Sequence, residues 1–155
     1  MTVEAIVLHH AAAPRSTTVE QIREWHKAKG WRDIGYHWLI LDEPGSPFGA
    51  QMHIGRPHNL DDIWEPWEYG AHAVGHNSRS ISICLVGNFS EEEPSPTVLD
   101  LLHGWLAALC VTLKLDADAV VGHRELPGAA TECPGLLVDM DKIRARLRDA
   151  LHGET

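Results

Sequence analysis

The 155-residue chain is short of basic charge: 13 Lys and Arg stand against 22 Asp and Glu, giving a formal net charge of −9. Phosphate binding relies on clustered Lys and Arg, so this balance argues against a nucleic-acid partner. The exception is the locally basic stretch Lys142-Ile-Arg-Ala-Arg-Leu-Arg148. Cysteine is scarce too. Three residues, an odd number, argue against a disulfide framework and for a reducing compartment. No stretch approaches the roughly 18–20 apolar residues of a membrane helix, so no span is expected. The opening Met1-Thr-Val-Glu-Ala5 has no basic n-region, and the apolar run after it breaks at His9. A chain without a secretory signal is made in the cytoplasm and needs help to act outside it. Repeats and linkers are lacking, so one domain over residues 1–155 is expected, as a monomer.

What is plentiful is histidine, with 11 residues, which raises the case for a metal site without proving one. The apolar patterning is also clear. Ala5-Ile-Val-Leu8 reads as a buried strand ending at His9-His10. Thr17 and Thr18 stand three residues before Glu20 and Gln21, a capping-box spacing for a helix that Gly30 stops. Its apolar face includes Ile22 and Trp25. Tyr36 to Leu41 and Ala50 to Ile54 read as strands around a Pro-Gly turn, and Ser80 to Val86 as a central strand. Residues 55–79 show no sustained period and read as a long functional loop with one helical turn. Helices are expected from Pro96 to Leu115 and around Met140, Ile143, Leu147 and Leu151, with a short strand from Ala119 to Gly122 between them. Alternating strands and helices predict an α/β (α+β) fold with a central mixed β-sheet flanked by helices.

Three segments end in a residue able to bind zinc: His9 after the first strand, His123 after the last, and Cys133 in the loop VVGHRELPGAATECPG. Two imidazoles and a thiolate suit Zn²⁺ and leave a fourth position open for water. The spacing alone does not decide between chance and a metal. Cys84 and Cys110 fall in apolar segments and read as core residues.

A wider pattern surrounds these residues. Ile6-Val-Leu-His-His10, Trp25-His-Lys-Ala-Lys-Gly-Trp-Arg-Asp-Ile-Gly-Tyr-His37, Gly70-Ala-His-Ala-Val-Gly-His-Asn77, Ser80-Ile-Ser-Ile-Cys-Leu-Val-Gly-Asn-Phe89, Gly122-His-Arg-Glu125 and Cys133-Pro-Gly135 follow in order. Together they resemble the zinc-dependent N-acetylmuramoyl-L-alanine amidases (amidase type 2), which include phage amidase-type lysozymes and peptidoglycan recognition proteins. The resemblance implies one zinc held by His9, His123 and Cys133. It implies that Tyr36 supports the oxyanion formed during amide hydrolysis. Thr131 stands where phage-type members carry Lys; a hydroxyl donates a hydrogen bond there without bringing charge. Ser82 replaces a usual Gly, and the His123–Cys133 loop reads slightly longer than in those members.

The implied reaction cuts the bond between the lactyl group of N-acetylmuramic acid and L-alanine in bacterial peptidoglycan or muropeptides. The expected role is a phage or prophage endolysin, released by a holin or exported in another way. The alternatives are a muropeptide-recycling amidase and a recognition module that binds without cutting; Cys133 and Tyr36 favour the enzyme. His37, His72, Asn77 and Trp67 are expected substrate contacts, with Trp64 beside Trp67 on the glycan. Glu125 and His37 are the candidates for protonating the leaving amine. His10 is read as packing or supporting the ligands. His26, His53, His58, His76, His103 and His152 are read as surface residues, and Glu91 to Glu93 as a solvated turn. A zinc endopeptidase is disfavoured because no His-Glu-x-x-His helix is present.

Overall fold

Alternation along the first strand, β1 (Ala5–His10), sets the layout of the computed structural model, which describes residues 2–153. Positions 1, 154 and 155 of the expected 1–155 domain lie outside the described residues. Neighbouring side chains on a strand face opposite ways. Ile6 and Leu8 point into the larger core, so His9 points to the other face. The other strands are β2 (Trp38–Asp42), β3 (Ala50–Ile54), β4 (Ser80–Leu85) and β5 (Val120–Gly122). Their order is β3-β2-β4-β1-β5; only the β2–β3 pair is antiparallel.

Helices cover both faces, because β4 also alternates. Ile81, Ile83 and Leu85 join Ile6 and Leu8 against Val98, Leu102, Leu106 and Leu109 of α2 (Pro96–Leu113) and Met140, Ile143 and Leu147 of α3 (Met140–His152). On the other face Cys84 and Leu39 pack with Ile34 and with Ile22 of α1 (Val19–Ala28). Ser80 and Ser82 share that face with His9, Ser80 opposite Ala5 and Ser82 opposite Val7. The result is the expected mixed sheet flanked by helices.

Several expectations need correcting. Strand β2 starts at Trp38; Tyr36 and His37 precede it, held by N–H groups of Arg56 and Gly55 that donate to their carbonyls. The α1 capping box belongs to Thr18 and Gln21 rather than Thr17. That helix turns His26 inward and leaves Trp25 about half exposed, at 48%. The His26 ring is buried because its Nδ1 accepts a hydrogen bond from the Gly35 N–H. Helix α2 is, by length and composition, apolar enough to cross a membrane, contrary to expectation. Here it is the core helix, with one face against the sheet.

The long segment 55–79 contains one short 3₁₀ helix, Pro66–Glu68, and further turns at 74–79, and it is organised by two buried charges that the sequence did not announce. Arg56 donates to the carbonyls of Asp33, Ile34 and Tyr69. The Glu68 carboxylate accepts from the N–H groups of Asn59 and Glu65. The basic stretch at the end of the chain lies on α3 and is largely neutralised. Arg144 pairs with Glu125 and Asp141, Arg146 with Asp100, and Arg148 with Asp118.

Candidate metal centre

The register of β1 against β5 opposes Leu8 to Gly122, so His9 and His123 leave adjacent parallel strands side by side. Their ring centroids are 4.8 Å apart. The chain then loops back and delivers Cys133 beneath them. Arg124 fixes that return: its N–H donates to the Cys133 carbonyl at 2.8 Å. Its guanidinium donates to the carbonyls of Gly135 and Val138 at 2.8 and 2.7 Å. Gly135, at φ +110°, passes so close to the Phe89 backbone that a Cβ would lie 2.4 Å from it. Only glycine fits that crossing without strain.

One nitrogen of each histidine and the Cys133 sulfur all lie within 4.8 Å of one another. Cys133 Sγ is 3.5 Å from His9 Nδ1 and accepts a hydrogen bond from the His10 N–H at 3.4 Å. Burial, with neighbouring histidines adding to it, holds His9 well below the ordinary imidazole value. Burial also lowers His123, so both rings are neutral and carry a lone pair. Burial pushes the Cys133 thiol up to about 11, while the His10 N–H and Arg124 favour the thiolate that a metal would stabilise. This donor set is compatible with a metal ion. His10 faces the other way, where its Nδ1 accepts from the Phe89 N–H.

Beside the centre, reached through His123, lies an open cleft of ≈ 500 Å³, lined by Trp31, Ala71 to Val74, His76, Asn77, His123 and Leu126 to Thr131. The ring of Tyr36 is 5.1 Å from that of His9. Burial, then Cys84 and Cys133, push its phenol well above 10, so it keeps its proton as a donor. The Thr131 hydroxyl accepts from the Cys133 N–H at 3.1 Å and faces the cleft with its own proton free to donate. Asn77 lines the cleft, but its carbonyl oxygen is engaged by the N–H groups of His72 and Ala73.

Other site expectations fare differently. His37 is fully buried, with its ring nitrogens against Ser82 Oγ and the Glu68 carbonyl, so it braces the loop and cannot touch a substrate. It cannot protonate a leaving amine either. Nor can Glu125, whose carboxylate is taken by Arg144 and the Gly122 N–H outside the cleft. Trp64 is buried in the core at 4% exposure. Trp67 is half exposed but lies outside the cleft lining, its indole N–H donating to Glu65. Trp31 and His76 line the cleft and were not singled out by sequence. His76 Nε2 reaches the Pro127 carbonyl across it at 3.2 Å. The signal was present, since both residues fall inside the Gly-Trp and Gly-Ala-His motifs.

Comparison with known proteins agrees with this geometry. The endolysin of Enterobacteria phage T3 is 31% identical over 140 residues, which cover 86% of this chain and 81% of that protein. The structure of N-acetylmuramoyl-L-alanine amidase LysC from Clostridium intestinale superposes with a TM-score of 0.77 at 30% identity, covering 95% of this chain and 86% of that one. The peptidoglycan recognition protein PGRP-SA of Apis mellifera gives a TM-score of 0.73 at 25% identity, with coverages of 93% and 82%. Residues 1–136 match the family described as N-acetylmuramoyl-L-alanine amidase, and the chain belongs to that family.

Proposed function

We propose that the chain is a zinc-dependent N-acetylmuramoyl-L-alanine amidase, a single catalytic domain that cuts between the lactyl group of N-acetylmuramic acid and L-alanine. The observation that carries the reading is the convergence of His9, His123 and Cys133, with His123 lining an open cleft. Zinc is favoured by chemistry and by distance. In a tetrahedron with Zn–N of ~2.1 Å and Zn–S of ~2.3 Å, the two ligand atoms lie about 3.6 Å apart. His9 Nδ1 and Cys133 Sγ are 3.5 Å apart. Held by His9, His123 and Cys133, a zinc ion would lower the pKa of a bound water towards about 7 and polarise the scissile carbonyl.

The chain's own residues do the rest. The neutral Tyr36 hydroxyl donates to the oxygen that gains charge in the tetrahedral species. Thr131 donates from the cleft lining while its oxygen holds the Cys133 N–H. The cleft lined by Trp31, His72, His123, Leu126 and Thr131 receives the muropeptide.

The test is product analysis after incubation with purified peptidoglycan. New free L-alanine amino ends are expected. New reducing sugar ends indicate a glycosidase and overturn the reading; binding without any cleavage indicates a recognition module. An endolysin role is favoured over muropeptide recycling by the likeness to the phage protein along most of both chains. Cells making the protein are then expected to lyse only when their inner membrane is permeabilised. Preferential cleavage of soluble muropeptides over intact sacculi favours recycling instead.

A further inference from the structure

His72 lines the cleft, yet both of its ring nitrogens are already engaged, and their polarity can be read. Ser80 Oγ lies 2.7 Å from the His76 carbonyl oxygen. A carbonyl only accepts, so the single hydroxyl proton is committed to it. The 3.2 Å contact between Ser80 Oγ and His72 Nε2 therefore uses a proton carried by the ring. In a neutral imidazole the other nitrogen then holds the lone pair. His72 Nδ1, 2.9 Å from His9 Nε2, accepts the His9 Nε2–H. His9 is left with its own lone pair on Nδ1, the atom 3.5 Å from the Cys133 sulfur.

We infer that Ser80 and His72 form a hydrogen-bond relay of fixed direction that sets the His9 tautomer and presents Nδ1 to the metal. His72 is then a positioning residue, where a substrate contact was expected. The fold is arranged for this. Alternation along β4 places Ser80 on the same sheet face as His9, while Ile81 faces the core. The His72 ring meets His9 edge-on, at 87°. Gly70 leaves room for the ring, since a Cβ there would lie 2.7 Å from His72 Cδ2. A fixed outer partner of this kind orients a ligand and raises its basicity.

The inference rests on the metal-site reading above, and its test can fail independently. Long-range ¹H–¹⁵N spectra of the metal-free protein report the tautomer of His9 directly. The Nε2–H form is expected in the wild type; the Nδ1–H form overturns the relay, whatever the variants do. His72→Ala is expected to mix the His9 tautomers and to weaken zinc binding about 10–100-fold in chelator competition. His72→Asn puts an amide oxygen where Nδ1 was and is expected to keep the tautomer and most of the affinity. A folded His72→Ala protein with unchanged tautomer and unchanged zinc affinity overturns the proposal. A wild type that holds His9 as Nε2–H but binds no zinc removes the metal reading and leaves the relay standing.

Discussion

At the scale of single residues, the proposed chemistry rests on two hydroxyls of unequal setting. Tyr36 is largely buried beside His9 and its phenol proton is locked on. Thr131 is exposed and anchored only by the Cys133 N–H. A preorganised donor in a water-poor site stabilises a developing oxyanion more than one in solvent. Tyr36→Phe keeps the ring and deletes the donor; kcat is expected to fall about 100-fold with KM little changed. Thr131→Val should cost clearly less. Steady-state kinetics on a soluble muropeptide check both, and a larger loss at Thr131 reverses the assignment of roles. The residues on which the metal reading rests were legible because they fall in ordered motifs, and because a loop cysteine such as Cys133 has little packing reason to exist. His37 misled because the same motif position serves as a buried brace once Ser82 and the Glu68 carbonyl take its nitrogens. Arg56 and Glu68 were invisible because their partners are backbone groups of irregular segments, which leave no periodic signal.

Among the elements, α1 shows how hydrophobic periodicity can select the wrong neighbour. Ile22 and His26 stand one turn apart and form the inward stripe, while Trp25 faces solvent. A polar ring buried to satisfy the Gly35 N–H carries no apolar signal. It does carry a pH signature. Burial, with Lys29 and Arg56 adding to it, lowers His26 from 6.5 to about 4. The unfolded chain therefore binds the proton more readily than the native one. Stability from this group is complete above pH 6.5 and is lost as the pH falls through about 4. His26→Asn, whose amide oxygen can still accept from Gly35, is expected to flatten part of the decline between those limits in urea titrations. Part remains, because His103 is lowered in the same way. The loop that presents Cys133 depends on the forked guanidinium of Arg124. Lysine cannot reproduce that fork. Arg124→Lys should speed amide exchange across residues 132–138 and weaken zinc binding while β1 and β4 exchange as before; unchanged exchange in the loop removes Arg124 from this role.

Across the whole molecule, the sheet order was not legible although the strands were, since pairing is decided by which faces find helices to cover them. What the order achieves is to join parts of the chain far apart in sequence at one sheet edge. His9 comes from the first strand, and His123 and Cys133 come from beyond the last. A ligand that binds only where these three meet stabilises the native state as a whole, by mass action. At free zinc 100-fold above its Kd the gain is about 2.7 kcal/mol. For a chain near this size each kcal/mol moves Tm by roughly 2–4 °C, so zinc-loaded protein should melt roughly 5–10 °C above protein treated with a chelator. Cys133→Ala removes one of the two links from the far end of the chain, together with the soft thiolate. Its Tm should respond far less to zinc or chelator, and its metal content should fall well below one ion per chain. Scanning calorimetry with and without chelator, beside metal analysis of the same samples, tests the closure directly. Equal melting of loaded and stripped wild type would mean that the ligands meet equally well in the unfolded ensemble, or that no metal joins them.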